Sequence, residues 1–231
     1  TIMATNGGPN IIEDGLVFAV DAANKKSYPG SGTTWTDLAG SNDGTLTNGP
    51  TFDSGDGGSI VFDGVDDYVD YNSFGVGGDS SSYTFSAWSK NSNNSSILVK
   101  GRDGNGAGWS LRIGTYSNQF IASAAKSNPV AGYNVFGGAY VSSVWAYVTG
   151  VWESDTGKLS LYVNGSLEGS YTFSGTAPFA LRSSTIGWSM AKITNSSIGQ
   201  GSIACASVYN RALSSTEVLQ NYNALKSRFG L

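Results

Sequence analysis

The stretch GKLSLYVNG, residues 157–165, reads as a β-strand running into its turn. Leu159, Leu161 and Val163 alternate with Ser160 and Tyr162, so one face of the strand is apolar. Asn164-Gly165 follows, between two strand-like runs, and is a hairpin signal because a tight turn needs the positive φ angles that these residues tolerate. Working outward, short runs of the same character recur along the chain. They are Leu16–Val20, Ser59–Phe62, Tyr83–Trp88, Ile97–Lys100, Trp109–Ile113, Phe120–Ala124, Val144–Val151 and Ile203–Tyr209. Each is rich in β-branched or aromatic residues and bounded by Gly, Asn, Asp or Ser. Tyr83, Phe85 and Ala87 share a face while Trp88 falls on the other; either it covers the outer side or a bulge re-aims it.

Composition agrees with many short strands. Glycine is abundant, at 32 of 231 residues, and charged residues make up 13% of the chain, against a usual share of roughly 25%. Disorder is excluded, because 39% of residues are hydrophobic and 12% aromatic, whereas disordered chains combine low hydrophobicity with high net charge. The chain reads as all-β and as one domain over 15–231, with 1–14 as an N-terminal extension. One helix is expected, near the end. Ser214 and Glu217 form a capping box, and Val218, Leu219, Tyr222 and Leu225 then recur at helical spacing as a face that docks on the sandwich. Lys226 and Arg228 are placed to complement the helix dipole.

The chemistry is bounded by what is missing. There is no histidine, one cysteine (Cys205) and four glutamates. Ser-His-Asp and Cys-His nucleophilic sites are excluded, and zinc lacks its preferred ligands. Cys205 lies in the apolar run SIACASVY and reads as a small buried hydrophobe. Net charge is −4 with no basic cluster, so nucleic acid is not an expected partner. No run of 18 apolar residues exists, so membrane insertion is not expected. TIMATNGGPN lacks the charged and apolar regions of a secretory signal, so folding in a reducing cytoplasm is expected. The sequons at Asn94, Asn164 and Asn195 then read as turns.

Several pieces, taken in order, carry a family pattern: GLVFAVDA at 15–22, WTDLAG at 35–40, NDGTLTNGPTFD at 42–53, GGSIVFDGVDDYV at 57–69, YTFSAWSK at 83–90, GKLSLYVNG, and SVYNRALSSTEVLQNYN from 207. Over nearly its whole length the chain resembles laminin G-like domains of the concanavalin A-like lectin/glucanase superfamily. The Leu-Thr-Asn-Gly-Pro turn and the terminal Leu-Gln-Asn-Tyr-Asn…Arg-Phe-Gly resemble the form found in virion proteins of tailed phages, marine ones especially. The resemblance implies a jelly-roll sandwich of two antiparallel sheets with one short C-terminal α-helix, and binding through loops or the concave face.

Glucanases of this superfamily carry a Glu-x-Asp-x-Glu strand, and retaining hydrolysis needs carboxyls about 5–5.5 Å apart. Glu13, Glu153, Glu168 and Glu217 belong to no such motif, and Asp66, Asp67 and Asp70 read as a solvated turn, so no enzymatic activity is expected. No cofactor is required. Calcium is the metal to weigh, since it needs only oxygens. The resemblance implies an aspartate just ahead of YNRAL, but Ala204 stands there; Asp63, Asp66 and Asp67 are the alternative ligands, with turn duty as their other reading. Trp109, Tyr116, Tyr133 and Trp188 lie in or beside glycine-rich loops and are the candidate carbohydrate platforms, with packing as the alternative. Trp35, Trp88, Trp145 and Trp152 read as core or sheet-face residues. The function expected is a non-catalytic module on the virion surface: head decoration, head fibre or accessory tail protein. Its expected partners are other virion proteins, cell-surface polysaccharide and further copies of itself. A purely structural capsid-binding protein is the second reading, and a polysaccharide hydrolase the third.

Overall fold

The computed structural model describes residues 9–71, 80–91, 95–100, 111–126, 131–181, 187–194 and 197–231. In chain order its strands are β1 (Leu16–Asp21), β2 (Thr34–Trp35), β3 (Gly44–Thr47), β4 (Thr51–Asp53), β5 (Ser59–Asp63) and β6 (Tyr68–Tyr71). They continue with β7 (Tyr83–Asn91), β8 (Ser96–Lys100), β9 (Leu111–Tyr116), β10 (Gln119–Lys126), β11 (Ala131–Ala139) and β12 (Ala146–Glu153). The last six are β13 (Lys158–Val163), β14 (Ser166–Thr172), β15 (Trp188–Met190), β16 (Lys192–Thr194), β17 (Ser197–Ile198) and β18 (Gln200–Tyr209). Helix α1 (Ser215–Leu225) and a 3-10 turn at Lys226–Phe229 close the chain.

Two antiparallel sheets result. The back sheet has the order β14-β13-β12-β7-β18-β5-β4, with β1 also on β18; the front sheet runs β11-β10-β9-β8-β15-β6-β3-β2. One edge of β18 serves two partners, β5 along Gln200–Ile203 and β1 along Cys205–Tyr209. β16 and β17 pair as a separate hairpin. Each of the nine strand segments expected from the sequence overlaps a strand, with Val144 and Trp145 preceding β12 and Trp109 and Ser110 lying outside the described residues. Asn164 and Gly165 make the expected turn, with φ of 51° and 80°.

Alternation assigns the core. In the front sheet Leu46, Val69, Met190, Leu98, Ile113, Ala122 and Val135 stand in register across seven strands and are buried. They meet Phe85, Val148, Leu161, Val208 and Ile60 from the back sheet. Burying each large side chain contributes roughly 1.5–3 kcal/mol. Two cross-strand glycines make room for rings: Gly150 lies opposite Phe85, and Gly44 opposite Tyr71. A methyl group at either would run into the ring.

A third layer covers the outer back sheet. Val218 is buried against Val151, Tyr162, Tyr209 and Leu213. Trp88 points outward, opposite a register shift in β18, and is stacked by Phe229 at 4.2 Å and Tyr222 at 5.6 Å between centroids. Cys205 is buried beside it, and burial pushes its thiol up to about 12. The capping box at Ser214 and Glu217 is present.

The helix face differs from expectation in one member. Leu219 is 44% exposed and lies against the Gly165 turn. Its expected place is taken by Asn221, 2% exposed, whose side chain donates to Tyr209 Oη at 3.1 Å and accepts from Ile12 N at 2.8 Å. Asn221 thus ties the helix to the N-terminal segment and to β18. Lys226 and Arg228 fall beyond the last helical turn. Arg228 instead donates to Asp21 Oδ1 at 2.8 Å, Asp56 O at 2.6 Å and Gly58 O at 2.7 Å, holding the tail to β1 and the β4–β5 turn.

Candidate functional site: the outer face of the front sheet

Each inner residue of the front sheet has a strand neighbour pointing the other way. In register these form a second row: Thr45, Asp70, Ser189, Val99, Arg112, Ser123 and Asn134. Six of the seven are polar, the reverse of the row beneath. Thr45, Asp70 and Asn134 are exposed, Ser189 is half-buried, and Val99, Arg112 and Ser123 are buried. Ser123 Oγ donates to Asn134 Oδ1 at 2.6 Å, and Ser189 Oγ donates to Lys192 O at 2.9 Å. Burial lowers the Arg112 guanidinium to about 10, so it stays protonated at neutral pH. Desolvation raises the Asp70 carboxyl, with the Lys192 ammonium acting the other way.

Beside this row stand exposed aromatics. Tyr116, 52% exposed, ends β9; Phe136, 41% exposed, lies on β11, opposite Ile121. Their ring centroids are 6.3 Å apart at an interplanar angle of 47°. Aromatic faces flanked by amide, hydroxyl and charged groups suit ligands with apolar C–H faces and hydroxyl rims.

The sequence profile of the concanavalin A-like lectin/glucanases superfamily, in its laminin G form, matches residues 63–219, more than half of the chain. The chain belongs to this superfamily. Comparison with curated proteins gives no match. Among solved structures, domain 4 of AbnA, a GH43 extracellular arabinanase from Geobacillus stearothermophilus in complex with arabinotriose, superposes with a TM-score of 0.68 at 15% identity. That match covers 90% of this chain and 98% of the domain. The receptor-binding domain of botulinum neurotoxin type G gives 0.65 at 14% identity, over 90% of this chain and 51% of that one. Trypanosoma rangeli sialidase gives 0.64 at 16% identity, over 93% of this chain and 33% of the enzyme. The chain thus spans about half of the toxin domain and a third of the sialidase. At these identities the likeness is one of fold.

The carbohydrate-platform candidates named from the sequence fall in different places. Tyr116 is on the front face. Tyr133 is 41% exposed yet belongs to the other side of its strand, opposite Ala124. It stacks on Tyr171 at 4.3 Å and meets Phe173 edge-on at 5.1 Å, closing the sandwich between β11 and β14. Trp188, 1% exposed, is a core residue beside Phe85, so it presents no platform. The glycine beside it in sequence suggested a loop, whereas alternation along β15 turns the indole inward. Trp109 lies outside the described residues. Phe136, Arg112 and Asn134 escaped sequence reading because only the cross-strand register brings them together.

Of the carboxylates, Glu217 pairs with Arg211 at 2.6 Å and Glu153 with Lys158 at 3.6 Å. Asp63 accepts from Val65 N at 2.7 Å, and Asp67 accepts from Asp63 N at 3.2 Å, so both serve the β5–β6 turn. Carboxylate oxygens of Asp63, Asp66 and Asp67 lie within 4.8 Å of one another. Ala204, where the resemblance implies a calcium ligand, is fully buried in the Trp88 cluster, and its carbonyl accepts from Ala22 N at 2.9 Å. That position does not fit a cation.

Proposed function

We propose that this domain is a non-catalytic carbohydrate-binding module, carried on the outside of a phage particle. The observation that supports it most is the outer front face, where the exposed Tyr116–Phe136 pair flanks a polar cross-strand row. A fold neighbour supports the same reading, being an arabinanase domain solved in complex with arabinotriose. The virion setting rests on the sequence resemblance. The non-catalytic reading draws on the turn duty of Asp63 and Asp67 and on the ion-paired Glu153 and Glu217.

A glycan array and pull-down on host envelopes test the reading. Binding is expected for the native protein and is expected to fall about tenfold or more in Tyr116→Ala and Phe136→Ala, the order expected for losing a stacked ring, with unchanged unfolding temperature and no reducing sugar released. Native protein that binds no glycan or envelope, or mutants that bind as well as the native protein, would count against it. The purely structural reading draws on Leu167 and Leu219, 55% and 44% exposed on the opposite side. Loss of particle incorporation in Leu167→Ser/Leu219→Ser, with glycan binding absent, would put that reading ahead.

A further inference from the structure

Over β6 of the front sheet the β16–β17 hairpin sets Lys192 and Ile198 side by side as a cross-strand pair. Lys192 Nζ sits 3.5 Å from the centroid of the Tyr68 ring. With Asn48 from the β3–β4 turn and Asp66 from the β5–β6 turn, these residues line a cavity of about 210 Å³. Asn48 Nδ2 donates to Asp66 O at 2.9 Å, which ties the two turns together and leaves the amide oxygen as an acceptor. The cavity is smaller than the roughly 300–1,000 Å³ that holds drug-sized ligands. Its size suits one ring, not a chain.

Charge decides the kind of ring. Asp66 lines the cavity, the Asp63 and Asp67 carboxylates lie behind it within 4.8 Å of the Asp66 carboxylate, and Asp70 interacts with Lys192. An anionic ligand would enter the field of four neighbouring carboxylates around one ammonium and be repelled. A cationic ligand would meet Lys192, whose ammonium already occupies the Tyr68 ring face that would otherwise attract it. A neutral polyol meets neither obstacle. Its hydroxyls both donate and accept, matching the Lys192 donor and the Asp66 and Asn48 acceptors, while Ile198 offers an apolar wall to a C–H face.

We propose that this cavity is a subsite for a single neutral pyranose or furanose unit. The proposal rests on the carbohydrate-binding reading and extends it. Tyr68 and Tyr116 sit toward the same end of the front face, three strand spacings apart, or roughly 15 Å at about 4.8 Å per strand and 3.4 Å per residue. A glycan of a few units held at the aromatic pair would therefore reach the cavity.

Backbone-amide chemical-shift mapping of the intact protein tests it, with glucose, galactose, mannose and arabinose as neutral probes and glucuronate and glucosamine as charged ones. At least one neutral sugar is expected to shift Asn48, Asp66, Tyr68 and Ile198, and glucuronate is expected to leave them unmoved. Lys192→Met keeps the apolar stem and is expected to weaken the response about tenfold, the order expected for losing a charged hydrogen bond. No shift at these residues with any neutral sugar, or an equal shift with glucuronate, would overturn the subsite. If native protein binds glycans and loses them in Tyr116→Ala while Lys192→Met is silent, the subsite fails alone; if no glycan binds at all, both readings fail.

Discussion

Glu217 shows how much one side chain carries at a helix start. It accepts from Arg211 Nη2 at 2.6 Å and Nη1 at 3.0 Å, and from Ser214 N at 2.8 Å. The Arg211 guanidinium, with help from Ser214, draws its carboxyl down from 4.5 to about 2. A depressed carboxylate stabilises the fold above the unfolded pKa, and that contribution is lost as pH falls through the folded one. Stability is therefore expected to drop between about pH 4.5 and 2, by an order of 2 kcal/mol once solvent screening of this quarter-exposed pair is allowed for. Thermal unfolding of Glu217→Gln across that window should show a much shallower slope than the native protein; parallel curves would contradict the assignment. The neighbouring position makes a sharper contrast. Val218 is fully buried, so Val218→Ala should cost about 2 kcal/mol. Leu219 is 44% exposed, so Leu219→Ala should stay within about 0.5 kcal/mol. Chemical denaturation of the two variants reads both.

At the scale of elements, the tail after α1 works as a clasp. Arg228 has a side chain only 9% exposed and ties three acceptors from β1 and the β4–β5 turn, while Phe229 stacks on Trp88. Hydrogen bonds to a charged group are worth about 1.5–3 kcal/mol each, part of which ordering the side chain offsets. Arg228→Met is expected to cost about 2–3 kcal/mol and to speed amide exchange at residues 226–231 before the sandwich opens. Unchanged exchange there would show that Phe229 alone holds the tail. How much of this was legible beforehand varies by element. Strands such as β13 could be read because their apolar alternation is local, and α1 because Ser214 and Glu217 sit at capping distance. β11 (AGYNVFGGA) hid behind its glycines, Val135 being its one buried large apolar side chain among the described residues, and β14 (SLEGSYT) carries no buried residue, so neither shows a continuous apolar face in its sequence. β2, β3 and β4 are too short for a pattern, their strand character coming from partners distant in sequence. The site was less legible still. Tyr116 could be picked out as an aromatic near a turn, but Arg112, Ser123 and Asn134 become neighbours only through register.

For the whole molecule, the two outer faces differ in what covers them. The back is sealed by α1, the tail and the N-terminal segment, and the front carries the polar row. Substitutions at Tyr116 or Phe136 are therefore expected to alter binding while shifting the unfolding temperature by about 1 °C or less, because neither ring is part of the sandwich core. A shift of several degrees would tie the face to stability. Chelation is expected to be equally silent. Ala204 supplies no side-chain oxygen, and Asp63 and Asp67 already accept turn amides, so EDTA should leave the melting curve in place. Calcium raising it by several degrees would mean that the Asp63–Asp66–Asp67 group holds an ion. The polar row has one more consequence, which concerns heredity. Thr45 and Asp70 are exposed and each is backed by its own inward neighbour, so either can be exchanged without repacking the core beneath, whereas Val99, Arg112 and Ser123 of the same row are buried and Asn134 serves the buried Ser123 hydroxyl. At those exposed positions a substitution is expected to leave folding intact, so heritable change can accumulate there one codon at a time.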